Sequence, residues 1–222
     1  MAFRRFMERI FKQTHYKIIK QVIPKNLANF IYRYFSLKRE VARLMFDSKY
    51  ISPFTPDWGI WHDDQVPNTY SHYSDAVFET LLIDLQERIE KESGYKLYPT
   101  YSYARIYKQG DVLHRHKDRD GCEISATMHI GGDAKWPIYL DATGSKNKAG
   151  LAINLAPGDL LIYKGCEYEH WREDFPGKNY CQAFFHYADV THKTALQRKF
   201  DERPFLGLPA WFRKMKVKRY EI

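Results

Sequence analysis

The chain has 222 residues, of which 44% are hydrophobic and 16% aromatic, so it can bury a large core and is not globally disordered. Its formal net charge of +8 favours acidic partners, although a basic surface also keeps a protein soluble. Neither basic end of the sequence has a recognised nucleic-acid-binding motif, so nucleic acid is a possible partner that the sequence does not favour.

The three cysteines, Cys122, Cys166 and Cys181, are an odd number and have no C-x-x-C spacing. They predict reduced thiols packed as small core residues in a cytoplasmic protein. No apolar run reaches the length of a membrane span, and the first residues lack a secretory-signal pattern. Residues 1–10 instead predict a short basic amphipathic helix.

The first part of the sequence has mostly helical periodicity. Residues 16–23 have the pattern of a strand, and apolar residues at helical spacing then predict two helices, at 26–35 and 37–46. Residues 47–73, rich in Trp, Pro, Asp and Asn, predict a long loop of the kind that often carries function.

The clearest helix is predicted to begin at Ser74 and Asp75 and to end at Gly94. A hydroxyl can cap the first turn, an acid there interacts favourably with the helix dipole, and glycine commonly ends a helix. The residues expected on its buried side are Phe78, Leu81, Leu82, Leu85 and Ile89.

Beyond this helix the hydrophobic period changes from 3.6 to 2, which predicts strands. The first covers residues 95–107, with Tyr101, Tyr103, Arg105 and Tyr107 on one face. The other predicted strands are 113–117, 124–130, 138–140, 149–155, 159–163 and 180–187. Short strands at regular spacing predict an α+β protein that is mainly β, built as a sandwich or barrel.

We expect one domain with three regions. Residues 1–94 form a supporting region, residues 95–190 form the core, and residues 191–222 wrap around it with a short helix near Leu196.

An H-x-D triplet, His116 to Asp118, lies in the charged run HRHKDRD. Alternate side chains of a strand point the same way, so both side chains can reach one ion, and His114 and Asp120 compete with them. A third ligand, His170, follows 54 residues after His116, beyond a turn, an apolar strand and a polar loop. Two histidines and one carboxylate are the ligand set of non-haem Fe(II) sites.

Two other interpretations of this run stay open. His114 and His116 form an H-x-H pair of the cupin type, with Glu123 as a loosely placed third ligand, although we expect His114 only to flank the site. Alternatively, the histidines belong to an ordinary charged surface.

The spacing around the triplet carries a resemblance that covers residues 101–187. This stretch resembles the catalytic core of the 2-oxoglutarate/Fe(II) dioxygenase superfamily, in particular its prolyl 4-hydroxylase-like branch. The matching residues are Tyr107, Gly110, Leu113, His116 and Asp118 of Y-x-x-G-x-x-L-x-x-H-x-D, then Pro157, Gly158, Asp159 and the distal His170.

The resemblance implies a double-stranded β-helix (jelly-roll) core supported by N-terminal helices, with Fe(II) held by His116, Asp118 and His170. It implies 2-oxoglutarate and O2 as co-substrates, with ascorbate as an optional addition. The implied reaction hydroxylates a C–H bond of a proline-like peptidyl residue or a small molecule, and releases succinate and CO2. The alternative is a cupin-like metal-binding or catalytically silent β-barrel that acts as a binding module.

The base that would bind the far carboxylate of 2-oxoglutarate is less clear. The resemblance implies a base about ten residues after the distal histidine, where this chain has Tyr180. Lys178 is close but falls in a predicted turn, and Arg172 is too near the histidine to lie on the following strand. Arg105 is the other candidate, beside Tyr107, which matches a tyrosine that contacts 2-oxoglutarate.

The remaining polar residues carry weaker signals. His62, Asp63 and Asp64 either line a substrate entrance or form a solvated acidic loop. We expect three other histidines to be structural, namely His129, His186 and His192.

Overall fold

The computed structural model describes residues 11–145 and 148–215. The helix predicted at 1–10 and the end of the C-terminal segment lie outside these residues. The strands are β1 (Tyr16–Ile19), β2 (Tyr70–Tyr73), β3 (Leu97–Tyr107), β4 (Leu113–His116), β5 (Ile124–Gly132), β6 (Ile138–Asp141), β7 (Leu151–Ile153), β8 (Leu160–Tyr163), β9 (Glu169–Arg172) and β10 (Tyr180–Asp189). The helices are α1 (Lys25–Asp47), α2 (Ala76–Ser93) and α3 (Ala195–Arg198), with 3-10 turns at Pro56–Trp58, Lys199–Glu202 and Ala210–Lys214.

The strands form two antiparallel sheets, which confirms the prediction of a mainly β protein with helices. The larger sheet has the order β1-β8-β5-β10-β3-β2, and the smaller one has the order β4-β9-β6-β7. Sequence neighbours are therefore often in different sheets. Side chains of the two sheets meet, as in the hydrogen bond that Arg172 of β9 donates to Gln182 of β10.

Alternation along the strands of the larger sheet separates two environments. On β10, Cys181 and Phe185 face away from the smaller sheet and join the main hydrophobic cluster, together with Phe35 and Phe78 of the helices. The alternate residue Gln182 faces the smaller sheet. One face of the larger sheet thus packs on α1 and α2, while the other is free to carry polar side chains.

The two helices predicted between residues 26 and 46 are a single helix, α1, of 23 residues. The prediction of a break was wrong because Ser36, between the two segments, costs little in a helix and no Gly or Pro interrupts the chain there. Pro24 precedes the helix in an extended conformation.

Helix α2 confirms the prediction of the strongest helix, and all five residues expected on its buried side are buried. Its cap is Asp75, whose side chain accepts a hydrogen bond from the backbone N–H of Val77, while Ser74 lies before the helix with a positive φ of 64°. Gly94 ends the helix with a φ of 76°, a conformation that glycine adopts without the strain that a Cβ adds.

Two strands were missed by the sequence patterns. Strand β2 lies at the end of the predicted loop at 47–73, and β9 lies where a polar loop was expected around His170. The helix predicted near Leu196 is confirmed as α3. No helix in the described part of the chain combines the length and the apolar character needed to cross a membrane.

Candidate functional site

Three predicted ligands come together at one end of the smaller sheet. His116 is the last residue of β4, Asp118 follows in the next loop, and His170 is on β9. Strands β4 and β9 are neighbours, and their register places His116 directly opposite His170. His170 is therefore held by a strand rather than by the expected loop, which fixes its position relative to His116.

The side-chain atoms of this triad are close enough to bind one ion. Oδ1 of Asp118 lies 3.5 Å from Nε2 of His170 and 4.0 Å from Nε2 of His116. One ligand atom from each residue lies within 4.8 Å of the other two. Two ligands at right angles and about 2.1 Å from an ion are about 3 Å apart, so small side-chain movements would complete the coordination.

Hydrogen bonds fix the tautomer of both histidines. Nδ1 of His116 lies 2.7 Å from the carbonyl oxygen of His114, and Nδ1 of His170 lies 3.2 Å from that of Tyr168. Since a carbonyl can only accept, each Nδ1 carries the hydrogen. Each Nε2 is therefore the ring nitrogen left to bind a metal ion.

The carboxylate of Asp118 is fixed from its other side. The hydroxyl of Ser125 donates to Oδ2 of Asp118 and lies 3.1 Å from Nδ1 of His186. Burial would raise the pKa of Asp118, but His170 and the hydrogen bonds hold it below its usual range. A Cβ on Gly165 would collide with Asp118 and Ser125, so this position needs glycine.

The triad opens into a cavity of about 180 Å³. Burial, together with the nearby His170, lowers the pKa of His116 to about 4, so this imidazole is neutral near pH 7. Beyond the triad, the residues that line the cavity are Asp63, Gln65, Tyr101, Tyr103, Arg105, Leu113, Phe184 and His186.

An ion pair forms one wall of the cavity. Nη2 of Arg105 lies 2.9 Å from Oδ1 of Asp63, and the hydroxyl of Tyr103 donates to the same carboxylate. Burial would raise the pKa of Asp63, but Arg105 keeps it below its ordinary value. The amide of Gln65 lies 3.0 Å from Nε2 of His116. The loop around Asp63 thus covers the site, as one of the two sequence interpretations expected.

The candidates for a carboxylate-binding residue lie in different surroundings. Arg105 is buried, and its Nη1 donates to the hydroxyl of the fully buried Tyr107 at 3.2 Å. Lys178 is exposed in a bend before β10, and its backbone N–H bonds Asp133. Neither Lys178 nor Arg172 is among the residues that line the cavity.

Arg172, which the sequence patterns set aside, is a buried cation facing the interior between the sheets. It lies on β9 two residues after His170, so both side chains point to the same side of the strand. Its guanidinium lies 4.6 Å from the ring of Trp136 and 4.9 Å from that of Tyr180. Its two terminal nitrogens donate to the carbonyl of Trp136 and to Oε1 of Gln182.

No ion pair among the described residues includes Arg172, although only 1% of its surface is exposed. Its Nε has no hydrogen-bond partner, and neither has Nε2 of His129 or the hydroxyl of Tyr180. His129 and Tyr180 stack on each other with ring centroids 4.2 Å apart. Buried polar atoms without partners are rare, so this cluster has unused capacity to bind a polar group.

The residues of the cupin interpretation do not meet at the triad. His114 is exposed, and Glu123 forms an ion pair with Arg198. His62 lies in a second cavity, of about 500 Å³, between α1 and the covering loop. His186 lines the main cavity beside Asp118, although the sequence suggested only a structural role.

The fold matches that of solved 2-oxoglutarate- and iron-dependent oxygenases. A Pseudomonas putida prolyl-4-hydroxylase matches with a TM-score of 0.55 and 13% identity, over 84% of this chain and 98% of that chain. HygX from Streptomyces hygroscopicus, solved with nickel and 2-oxoglutarate, matches with a TM-score of 0.58 and 15% identity, over 84% of this chain and 87% of that chain.

A prolyl hydroxylase from Trichoplax adhaerens, in complex with a hypoxia-inducible-factor peptide fragment, matches with a TM-score of 0.57 and 11% identity. That match covers 89% of this chain and 91% of the other. No protein-family model and no curated protein sequence matches this chain. The resemblance to 2-oxoglutarate/Fe(II) oxygenases is therefore confirmed at the level of the fold, with antiparallel sheets and supporting helices, and identities of 11–15% define the fold alone.

Proposed function

We propose that this protein is an Fe(II)- and 2-oxoglutarate-dependent oxygenase. The observation that carries the proposal is the triad of His116, Asp118 and His170, whose ligand atoms lie within 4.8 Å of one another beside a cavity while both Nδ1 atoms are held by hydrogen bonds. We further propose that the two sheets form a double-stranded β-helix core over residues 95–190, supported by residues 1–94 and wrapped by residues 191–222.

The triad fits Fe(II) by the chemistry of its donors. Two imidazoles and one carboxylate on one side of an ion leave further positions open for a keto acid and oxygen. When bound, the metal, the keto acid and oxygen would supply the chemistry that hydroxylates a C–H bond and releases succinate and CO2. The protein's part is to hold the ligands, exclude water and orient the substrate.

We propose Arg172 as the residue that binds the far carboxylate of 2-oxoglutarate. It is a buried guanidinium without an acidic partner in the described chain, and an anion would compensate its charge. Residues two apart on a strand are separated by about 6.6 Å, so His170 and Arg172 suit the two ends of a short dicarboxylate. The hydroxyl of Tyr180 adds a free donor beside the guanidinium.

Arg105, Tyr107 and Lys178 remain the candidates from the sequence. Arg105 already has a carboxylate partner in Asp63, and it also donates to the hydroxyl of Tyr107. The three cations can be separated by binding of 2-oxoglutarate with Mn(II) to the variants R172M, R105M and K178M. We expect R172M to weaken binding of 2-oxoglutarate most, and an unchanged affinity in this variant would contradict the assignment.

The proposed substrate is a proline-like peptidyl residue or a small molecule. Among the neighbours, the Trichoplax enzyme is in complex with a peptide, and HygX was also solved with hygromycin B bound. These structures support both substrate classes, and the cavity wall formed by Asp63 and Arg105 would contact either. A cytoplasmic location is proposed from the unpaired cysteines alone.

The decisive experiment combines metal binding and turnover. Under anaerobic conditions, Fe(II) with 2-oxoglutarate should produce a weak visible charge-transfer band, and oxygen should then yield succinate. We expect H116A and H170A to lose both signals, whereas the matched control H114A, which changes an exposed histidine two residues away, should retain them. Absence of the band and of succinate in the wild-type protein would favour a catalytically silent binding module.

A further inference from the structure

Helix α1 has a second apolar side that faces solvent. Its core side comprises Ala28, Ile31, Phe35 and Ala42. On another side Phe30, Leu37 and Leu44 are each about two-thirds exposed, at 67%, 66% and 68%. These three residues are called the α1 stripe.

The spacing of the α1 stripe is that of a helix-pairing surface. Its members are seven residues apart, so they lie in line along a helix that completes two turns in about seven residues. Leu27, Tyr34 and Val41 lie between the stripe and the core side and complete an alternating spacing of three and four residues. Soluble monomers rarely expose a continuous apolar row of this kind.

Two charges beside the stripe indicate which partner fits. Arg33 and Glu40 are both exposed, seven residues apart and on the side of the stripe away from Tyr34. In a parallel pair with a second copy, each Arg33 would lie on the opposite side of the contact from the other Arg33 and would face Lys38 of that copy, a like charge. In an antiparallel pair, a two-fold axis beside Leu37 places Arg33 opposite Glu40 of the second copy, and Phe30 opposite Leu44.

We propose that α1 is the interface of a homodimer, with two copies of the helix packed antiparallel about Leu37. The stripe is self-complementary in this arrangement, because large apolar side chains face each other and each Arg33 meets a Glu40. Glu40 already accepts a hydrogen bond from Nε of Arg39 in its own chain at 2.8 Å. Arg33 of the second copy would therefore join an existing ion pair. The cavity that contains the triad is lined by other parts of the chain.

The first test is the mass in solution. The full-length protein at about 50 μM should sediment near 53 kDa, twice the 26.5 kDa of one chain. L37E should be monomeric, and I83E should remain a dimer, because Ile83 is a partly exposed residue on α2 outside the stripe. A monomeric wild-type protein, or a dimer unaffected by L37E, would overturn the proposal.

The second test uses charge, and it applies even if L37E folds poorly. R33E should raise the dissociation constant at least tenfold, because two pairs become repulsive. The double variant R33E/E40R should recover most of this loss. If the double variant dimerises no better than R33E, the antiparallel pairing is wrong.

Disulfide trapping distinguishes the two orientations. In a C166S background, which removes the one cysteine that is not buried, we would oxidise F30C alone, L44C alone, and their mixture. An antiparallel dimer should cross-link only in the mixture, whereas a parallel one should cross-link each single variant. Cross-linking of either single variant on its own would refute the proposed pairing.

Discussion

Replacing Arg172 with methionine should separate the stability of the protein from its ability to bind a keto acid. The substitution keeps an unbranched stem between Trp136 and Tyr180 and removes a cation whose Nε has no partner. It also leaves the carbonyl of Trp136 and the amide of Gln182 without their donor. Loss of these bonds and relief of an uncompensated buried charge oppose each other, so we expect a change in the free energy of unfolding of about 1 kcal/mol.

Arg203 provides the matched comparison. It is also fully buried, but it pairs with Glu79 at 3.2 Å and donates to the carbonyls of Thr100 and Phe200. R203M removes one partner of a buried pair and should cost about 3–5 kcal/mol. For a chain of this length each kcal/mol shifts Tm by about 2–4 °C, so thermal unfolding resolves the two variants.

The same measurement tests ligand binding. With Mn(II) present, 2-oxoglutarate at 100 times its Kd should stabilise the wild-type protein by about 2.7 kcal/mol. We expect R172M to lose this ligand-dependent increase in Tm, while the metal-dependent increase remains. If R172M instead unfolds as readily as R203M and still responds to 2-oxoglutarate, then Arg172 is a structural residue and the reasoning is refuted.

Three further predictions concern the surroundings of the site and the fold. G165A should fold but bind Mn(II) about 10–100-fold more weakly by calorimetry, because the added methyl group displaces Asp118. An unchanged affinity would show that the loop containing residue 165 moves to accommodate the methyl group. D63N should destabilise the protein by about 3 kcal/mol in urea unfolding by leaving Arg105 unpaired, and adding R105M should cost less than the sum of the single changes; simple additivity would contradict the pairing. Burial would raise the pKa of Asp75, but His72 and Lys38 hold this pKa below its ordinary value of 3.8. The ionised Asp75 therefore stabilises the folded protein fully above about pH 4, and this contribution is lost as the pH falls toward the pKa of the folded state. D75N should therefore be less stable by about 2–3 kcal/mol at pH 7 and should show a weaker loss of stability on acidification, and equal pH slopes would exclude this role.

The sequence was most informative where one local pattern carried the structure. The stripe of apolar residues in α2 and the period-2 run of β3 each lie within a single element, and both are confirmed. The H-x-D spacing and the later His170 identified a triad that the fold brings together. Strand β9 was missed because its four residues, EHWR, have neither alternation nor β-branched side chains, and only pairing with β4 and β6 defines it.

Contacts between residues far apart in the sequence could not be predicted from local sequence patterns. Arg105 pairs with Asp63, 42 residues earlier, and no local pattern in the sequence indicates this partner. Arg172 was set aside because it lies only two residues after His170, too near to belong to the following predicted strand. Its position became interpretable only when β9 was seen beside β4, with Gln182 and Tyr180 of the other sheet around the guanidinium.

The two histidines of the triad are oriented by the main chain rather than by side chains. In both cases Nδ1 bonds the carbonyl oxygen of the residue two positions earlier, His114 or Tyr168. A carbonyl is present whatever side chain that residue has, so substitution at either position cannot delete the bond. A change of side chain at position 114 or 168 therefore leaves the hydrogen bond that orients each imidazole in place.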